Sequence, residues 1–222
     1  MIKAKHSKCA KFLFHHYIMN LLKHHFQNFH LLGDIPKTDP NLPLMLLPNH
    51  STWWDGFFVY LLNEKLFRRP IYLMMLEEQL KKYHFFCRVG AYSIEPDNPK
   101  SMMRTLKYTV DILNSETSPP PLVCIFPQGE LVPWGKRPLN LKSGVDWIIK
   151  KIRRDVNLLP LGMKIEYLGQ KRADVFFQCG ENSVVNVDNY RGARWIENKM
   201  EIILENMTKK IAKEESGTLI FL

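Results

Sequence analysis

An α/β fold is what the sequence predicts, and two observations predict it. Short apolar runs at 44–47, 71–76, 91–94, 122–126, 158–163 and 175–179 alternate with segments whose apolar residues recur at helical spacing. Strands alternating with helices build a sheet with helices packed on it. Hydrophobic residues make up 45% of the 222 positions, enough for one sizeable core and too many for a disordered chain. We expect an N-terminal amphipathic helical segment over 1–30 and a single domain over 31–222.

The elements follow in order. Phe12, Leu13, Tyr17, Ile18, Leu21, Leu22, His25 and Phe26 predict a helix over 8–29. Its basic and aromatic mixture suits either packing on the domain or lying in a membrane interface. The turn-rich stretch 33–43 (GDIPKTDPNLP) closes this unit. A buried strand over 44–47 ends at Pro48, and a helix follows over 53–65, with Ser51 or Thr52 able to cap it. A strand over 71–76, a short helix or turn over 80–86 and a strand over 91–94 come next. Met102, Met103, Leu106, Val110 and Leu113 carry a helix over 99–113, broken by Ser118-Pro119-Pro120-Pro121. The run 122–126 (LVCIF) is the clearest buried strand. Beyond it we expect a helix over 144–154, a strand over 158–163 interrupted by Pro160, and a strand over 175–179. A long amphipathic helix over 191–213 aligns Trp195, Ile196, Met200, Ile203, Leu204, Met207 and Ile211 on one stripe.

The charge balance is basic, 31 Lys+Arg against 22 Asp+Glu. It points to an acidic partner: nucleic acid, an anionic membrane face or a phosphate-bearing substrate. No zinc-finger spacing, RNA-binding signature or helix-turn-helix signal accompanies it, so a nucleic-acid partner is not expected. The cysteines Cys9, Cys87, Cys124 and Cys179 form no Cys-x-x-Cys pair and suggest no disulfide framework, which fits a reducing cytosolic setting. Cys124 and Cys179 read as buried thiols. His6, His15, His16, His24, His25 and His30 crowd the N-terminal segment without the spacing of a helical chelate, so no metal is expected. No secretory signal and no apolar run long enough to span a bilayer are apparent.

The stretch LPNHSTWWDGFF (47–58) places His50 and Asp55 five residues apart, just past a strand end. A satisfied core pair, a metal site, and a catalytic base with its orienting carboxylate all fit. A histidine takes a proton from a hydroxyl near neutral pH when a carboxylate on the other ring nitrogen fixes its tautomer. Ser51 is adjacent, but no Gly-x-Ser-x-Gly elbow is present, so the proton would come from the substrate's own alcohol. A second segment, FPQGEL (126–131), also follows a strongly apolar strand, and strand ends of α/β sheets are where ligands bind.

In this order the two segments resemble the lysophospholipid and glycerol-3-phosphate acyltransferases, which carry Asn-His-x-x-x-x-Asp and later Phe-Pro-Glu-Gly-Thr-Arg. Gly90-Ala91-Tyr92-Ser93-Ile94 and Leu158-Leu159-Pro160-Leu161-Gly162 look like the family's second and fourth blocks, so the likeness covers roughly 30 to 180. The resemblance implies a mixed central sheet flanked by helices. It implies an O-acyltransferase of lipid metabolism in which His50 is the general base and Asp55 its orienter. Asn49, Ser51, Phe126, Pro127, Gln128, Gly129 and Glu130 would stand at the substrate, with Gly129 offering backbone N–H groups to the oxyanion. The donor would be an acyl-coenzyme A or acyl-carrier protein, with no cofactor. The acceptor would be a lysophospholipid or glycolipid, at the cytoplasmic face of an anionic membrane, the protein being peripheral or monotopic.

The chain departs from the family where phosphate is gripped. Gln128 replaces the usual Glu, Glu130-Leu131 replaces Thr-Arg, and Pro96 stands near the usual arginine of the second block. Leucine and proline cannot fork onto a phosphate as arginine does. Either Lys136 and Arg137, or Arg88, take over the phosphate, or the acceptor is a sugar or other lipid alcohol with none. Trp53, Trp54, Phe57 and Phe58 pack the core or line an acyl groove, and Trp134 sits in a loop that closes over the acceptor or anchors on the core. Two further readings compete: a lipid- or membrane-binding protein that keeps the fold without activity, and a different His-dependent hydrolase that uses water on the thioester.

Overall fold

The computed structural model describes residues 1–215 and 217–221. In chain order the elements are α1 (Lys8–His25), β1 (Phe26–Leu31), β2 (Leu44–Pro48), α2 (Asp55–Leu62), β3 (Ile71–Leu76), α3 (Glu77–Lys82), β4 (Ala91–Ile94), α4 (Pro99–Leu113), β5 (Leu122–Cys124), α5 (Gly144–Ile149), β6 (Val156–Glu166), β7 (Ala173–Cys179), β8 (Ser183–Val185), α6 (Ala193–Ala212) and β9 (Thr218–Phe221). A π-helical turn (Asn63–Phe67) extends α2, and a 3₁₀ helix (His84–Val89) leads into β4.

The strands form one mixed sheet in the order β4-β3-β5-β2-β6-β7-β1-β9, with β8 on β6. β4, β3, β5, β2 and the first half of β6 run parallel, and β1 is parallel to β7. β6 is antiparallel to β7 and β8, and β1 to β9. Alternation explains the unbroken apolar run of β2. Met45 and Leu47 face α4, α5 and α6, while Leu44 and Leu46 face α1 and α2. A strand covered on both faces has no polar side to show.

Pro160 does not interrupt β6. Its carbonyl accepts from Gly180 N on the β7 side, so its missing N–H also falls there. That edge is where β6 passes from β8, paired up to Leu158, to β7, paired from Leu161. No ladder hydrogen bond is lost in the gap. Two residues on, Gly162 lets α6 lie close: a Cβ there would stand 2.3 Å from Met207 Sδ and 2.8 Å from Ile203 Cγ2.

The first helix is shorter than its periodicity suggests. It ends at His25, and Phe26–Leu31 is a strand. Phe26 and Phe29 continue the three-residue spacing of α1, but their backbones pair with Ala173 and Val175 of β7. β1 therefore straddles the expected boundary at residue 30. Residues ahead of α1 lie along β4: Ile2 N donates to Ser93 Oγ at 2.6 Å, and Ser93 N donates to Ile2 O at 2.9 Å. The outer strand is thus covered. No helix among the described residues is long and apolar enough to cross a membrane.

Candidate active site

β2 delivers Asn49 and His50 to its C-terminal end, and Asp55 opens α2. The loop between them folds around the Asp55 carboxylate, which is 3% exposed. Its Oδ2 accepts from His50 Nδ1 at 2.8 Å, Ser51 N at 2.7 Å and Thr52 N at 2.9 Å. Its Oδ1 accepts from Thr52 Oγ1 at 2.6 Å. Thr52 Oγ1 accepts from Trp54 N at 3.2 Å at the entry to α2, as the sequence predicts for Ser51 or Thr52. Asp55, inside the first turn, reciprocates by accepting from the backbone N–H groups ahead of it. A carboxylate held by these four donors is fixed in place. It requires the Nδ1–H tautomer of His50 and leaves Nε2 as a base nitrogen, with no hydrogen bond to it among the described residues.

Asn49 ties this loop to β6, taking Met163 N on Oδ1 at 2.7 Å and giving Nδ2 to Met163 O at 3.1 Å and Ser51 Oγ at 3.2 Å. It is 1% exposed, and both atoms of its amide are engaged within the fold. The FPQGEL loop meets the histidine from the other side. Phe126 stacks on the imidazole, with centroids 4.1 Å apart and planes 20° from parallel. Gln128, 2% exposed, accepts from His50 N at 2.6 Å, and Val132 N donates to His50 O at 2.9 Å. The glutamine that replaces the family's glutamate is therefore a clamp between the loops. Pro127 is buried and its carbonyl accepts from Lys142 N.

Gly129 has φ +73°, as its turn requires, but its own N–H closes that turn onto Phe126 O at 3.0 Å. The expected oxyanion donor is already engaged. Glu130 is exposed, 4.0 Å from Lys142 Nζ. Arg137 folds back on its own loop, its Nη1 donating to the carbonyls of Trp134 and Lys136 at 2.9 and 2.7 Å. Lys136 is exposed on the same loop.

Beside the pair lies a cleft of about 130 Å³, lined by Ser51, Thr52, Asp55, Phe58, Trp134, Met163, Lys164 and Ile165. His50 is not in its wall. Lys164 bonds Glu166 at 2.6 Å and stands 5.5 Å from the Trp134 ring centre. Sequence reasoning missed Lys142 and Lys164. The one signal for Lys164 was a cation at the end of an otherwise apolar strand. Of the aromatic row, Phe58 is core and Trp53 is exposed. Burial pushes the Cys124 thiol well above its ordinary range, reinforced by Asp55, so this neighbour of the site is an inert apolar group. No group of three or more His, Cys, Asp or Glu that could hold a metal occurs among the described residues.

Known proteins resemble the chain in fold and in family. The 1-acyl-sn-glycerophosphate (LPA) acyltransferase PlsC from Thermotoga maritima superposes with a TM-score of 0.62 at 15% identity, over 92% of this chain and 82% of that one. No curated protein matches at the level that would mark a relative. A family model described as Acyltransferase matches residues 22–164, more than half of the chain, from the last turn of α1 into the second half of β6, a span that carries His50, Asp55 and the FPQGEL loop. The chain belongs to the acyltransferase family.

Proposed function

We propose that the protein moves a fatty acyl chain from an acyl-coenzyme A or acyl-carrier-protein thioester to a hydroxyl of a lipid acceptor. The observation that carries this reading is the His50–Asp55 contact, with a carboxylate fixed by three further donors behind one ring nitrogen and the other nitrogen free. Nε2 takes the proton from the acceptor hydroxyl as its oxygen attacks the thioester carbonyl carbon. The tetrahedral intermediate collapses, the C–S bond breaks, and the imidazolium returns the proton to the departing sulfur. The charge that forms on the ring is balanced by Asp55 at 2.8 Å.

The acceptor in this reading carries no phosphate at the reacting end. Leu131 and Pro96 offer no cation, Arg137 is turned onto its own loop, and Lys164 is paired with Glu166. A sugar or other neutral lipid alcohol suits such a site. The exposed side chains of Phe12, Leu13, Tyr17 and Trp53 and the net charge of +9 support residence on an anionic membrane surface, where a lipid acceptor is presented. The test is thiol release from palmitoyl-coenzyme A with lysophosphatidate and a glycolipid as alternative acceptors. Acceptor-dependent release that falls at least ~10³-fold in His50→Ala, with the melting temperature kept, supports the base role. Equal release by both proteins refutes it, and release without acceptor makes the protein a hydrolase. Turnover of lysophosphatidate alone overturns the phosphate-free acceptor.

A further inference from the structure

Helix α1 buries Phe14, Ile18 and Leu22 and turns Phe12, Leu13 and Tyr17 outward, each more than 60% exposed. Trp53, three residues after His50, is 60% exposed. Its ring lies 4.8 Å from Phe57, and Phe57 lies 6.3 Å from Phe14 of α1. Phe57 is half-buried and Phe14 buried, so these contacts pack the Trp53 loop against the inner side of α1, while Phe12, Leu13 and Tyr17 form the helix's outward face. Between its apolar residues, the same outward face carries His16, Lys23 and His24, all exposed. α1 contains Lys8, Lys11 and Lys23, four histidines, and no acidic residue.

The histidines come as neighbours, His15–His16 with ring centres 5.8 Å apart and His24–His25 at 5.2 Å. The groups around them are mostly cationic or neutral. Tyr60 Oη of α2 meets His15 at 3.4 Å, and Trp54 lies 4.9 Å from the His25 ring. Glu64 of the π-helical turn is already paired with Lys11 at 2.8 Å. Lys65 and Lys23 both stand over the Phe221 ring, and Arg172 donates to Lys23 O. His6, ahead of α1, is held low first by burial and then by Lys11. From the 3₁₀ helix, His84 turns to Cys87, and exposed Arg88 adds one more cation. Proton uptake would thus raise α1 from three formal charges to seven, with like charges side by side and no free carboxylate among these neighbours. A dense layer of lipid phosphates relieves that repulsion while the aromatic residues enter the headgroup boundary.

We propose that the outward face of α1 docks on an anionic lipid surface and that proton uptake by its histidines tightens the docking. This rests on the membrane reading above and adds a pH dependence to it. The experiment is co-sedimentation of the full chain with vesicles of phosphatidylglycerol and phosphatidylcholine in equal parts, at about pH 7.5 and about pH 5.5, either side of the ordinary histidine value. Two titrating outward histidines, His16 and His24, predict a rise in partitioning of about tenfold on acidification. His16→Gln with His24→Gln removes most of the rise, and His16→Lys with His24→Lys gives tight binding at both pH values. Purely phosphatidylcholine vesicles show no comparable rise. An equal rise in the glutamine variant, an equal rise on neutral vesicles, or no rise at all overturns the histidine device. Binding that is strong but pH-independent leaves the membrane reading standing, whereas no binding at either pH removes both. Acyl transfer assayed in detergent micelles reports the chemistry separately from either.

Discussion

Replacing Asp55 with Asn tests what the carboxylate contributes beyond geometry. Three donors converge on Oδ2, so the amide oxygen takes that position and still accepts from Ser51 N, Thr52 N and His50 Nδ1. The amide nitrogen falls where Oδ1 met Thr52 Oγ1, a hydroxyl able to turn and accept. The fold and the tautomer survive, and only the negative charge is lost. With about 4 Å between charge centres and an effective dielectric near 20, that charge stabilises an imidazolium by roughly 4 kcal/mol. At about 1.4 kcal/mol per decade, kcat falls ~10³-fold while KM stays close to the wild-type value. The assay is acceptor-dependent thiol release, beside a thermal melt that reports folding. Combining Asp55→Asn with His50→Ala costs no more than His50→Ala alone, because the two act as one unit. An Asp55→Asn enzyme within tenfold of wild-type kcat, or losses that multiply in the double variant, would refute the argument.

Other expectations are smaller in scope. Gln128→Leu strands the buried His50 N–H and should cost about 1–3 kcal/mol in urea unfolding. Gly162→Val drives a side chain into Met207 and Ile203; urea melts should show a loss of about 1–3 kcal/mol as α6 lifts from β6. Glu77 is held down to about 2, first by the Ser93 hydroxyl and then by Lys81 and the Met1 amino group. A lowered carboxyl contributes its stabilisation above its unfolded value of 4.5 and loses it as pH falls toward 2. Unfolding titrations should therefore show a slope across that window, up to roughly 3 kcal/mol in total, which Glu77→Gln flattens.

The central strands were legible because burial on both faces leaves runs such as LMLL and LVC with no polar interruption. The ends of the sheet were not. Phe26–Leu31 carries the spacing of the helix before it, and only β7 and β9 make it a strand. Ser183–Val185 and Thr218–Phe221 are too short to signal themselves and exist as partners of β6 and β1. At the site, His50 and Asp55 announced themselves because they meet through five residues of chain. The roles of Gln128 and Asn49 were hidden, since each is defined by a contact more than seventy positions away. Gly129 showed the limit of reading a residue by type. Its positive φ is real, but the turn that needs it also consumes its N–H.

The Asp55 loop has a consequence in time as well as in space. Its hydrogen bonds all fall within six consecutive residues, and loops of about ten residues close in 10–100 ns. The clamp from Gln128 and the tie from Asn49 to Met163 must wait for segments 78 and 114 residues distant. The His50–Asp55 pair is thus a local assembly available to the chain before the sheet exists. What the late, distant contacts add is its aim: they turn a loop that closes by itself into one that points in a single direction.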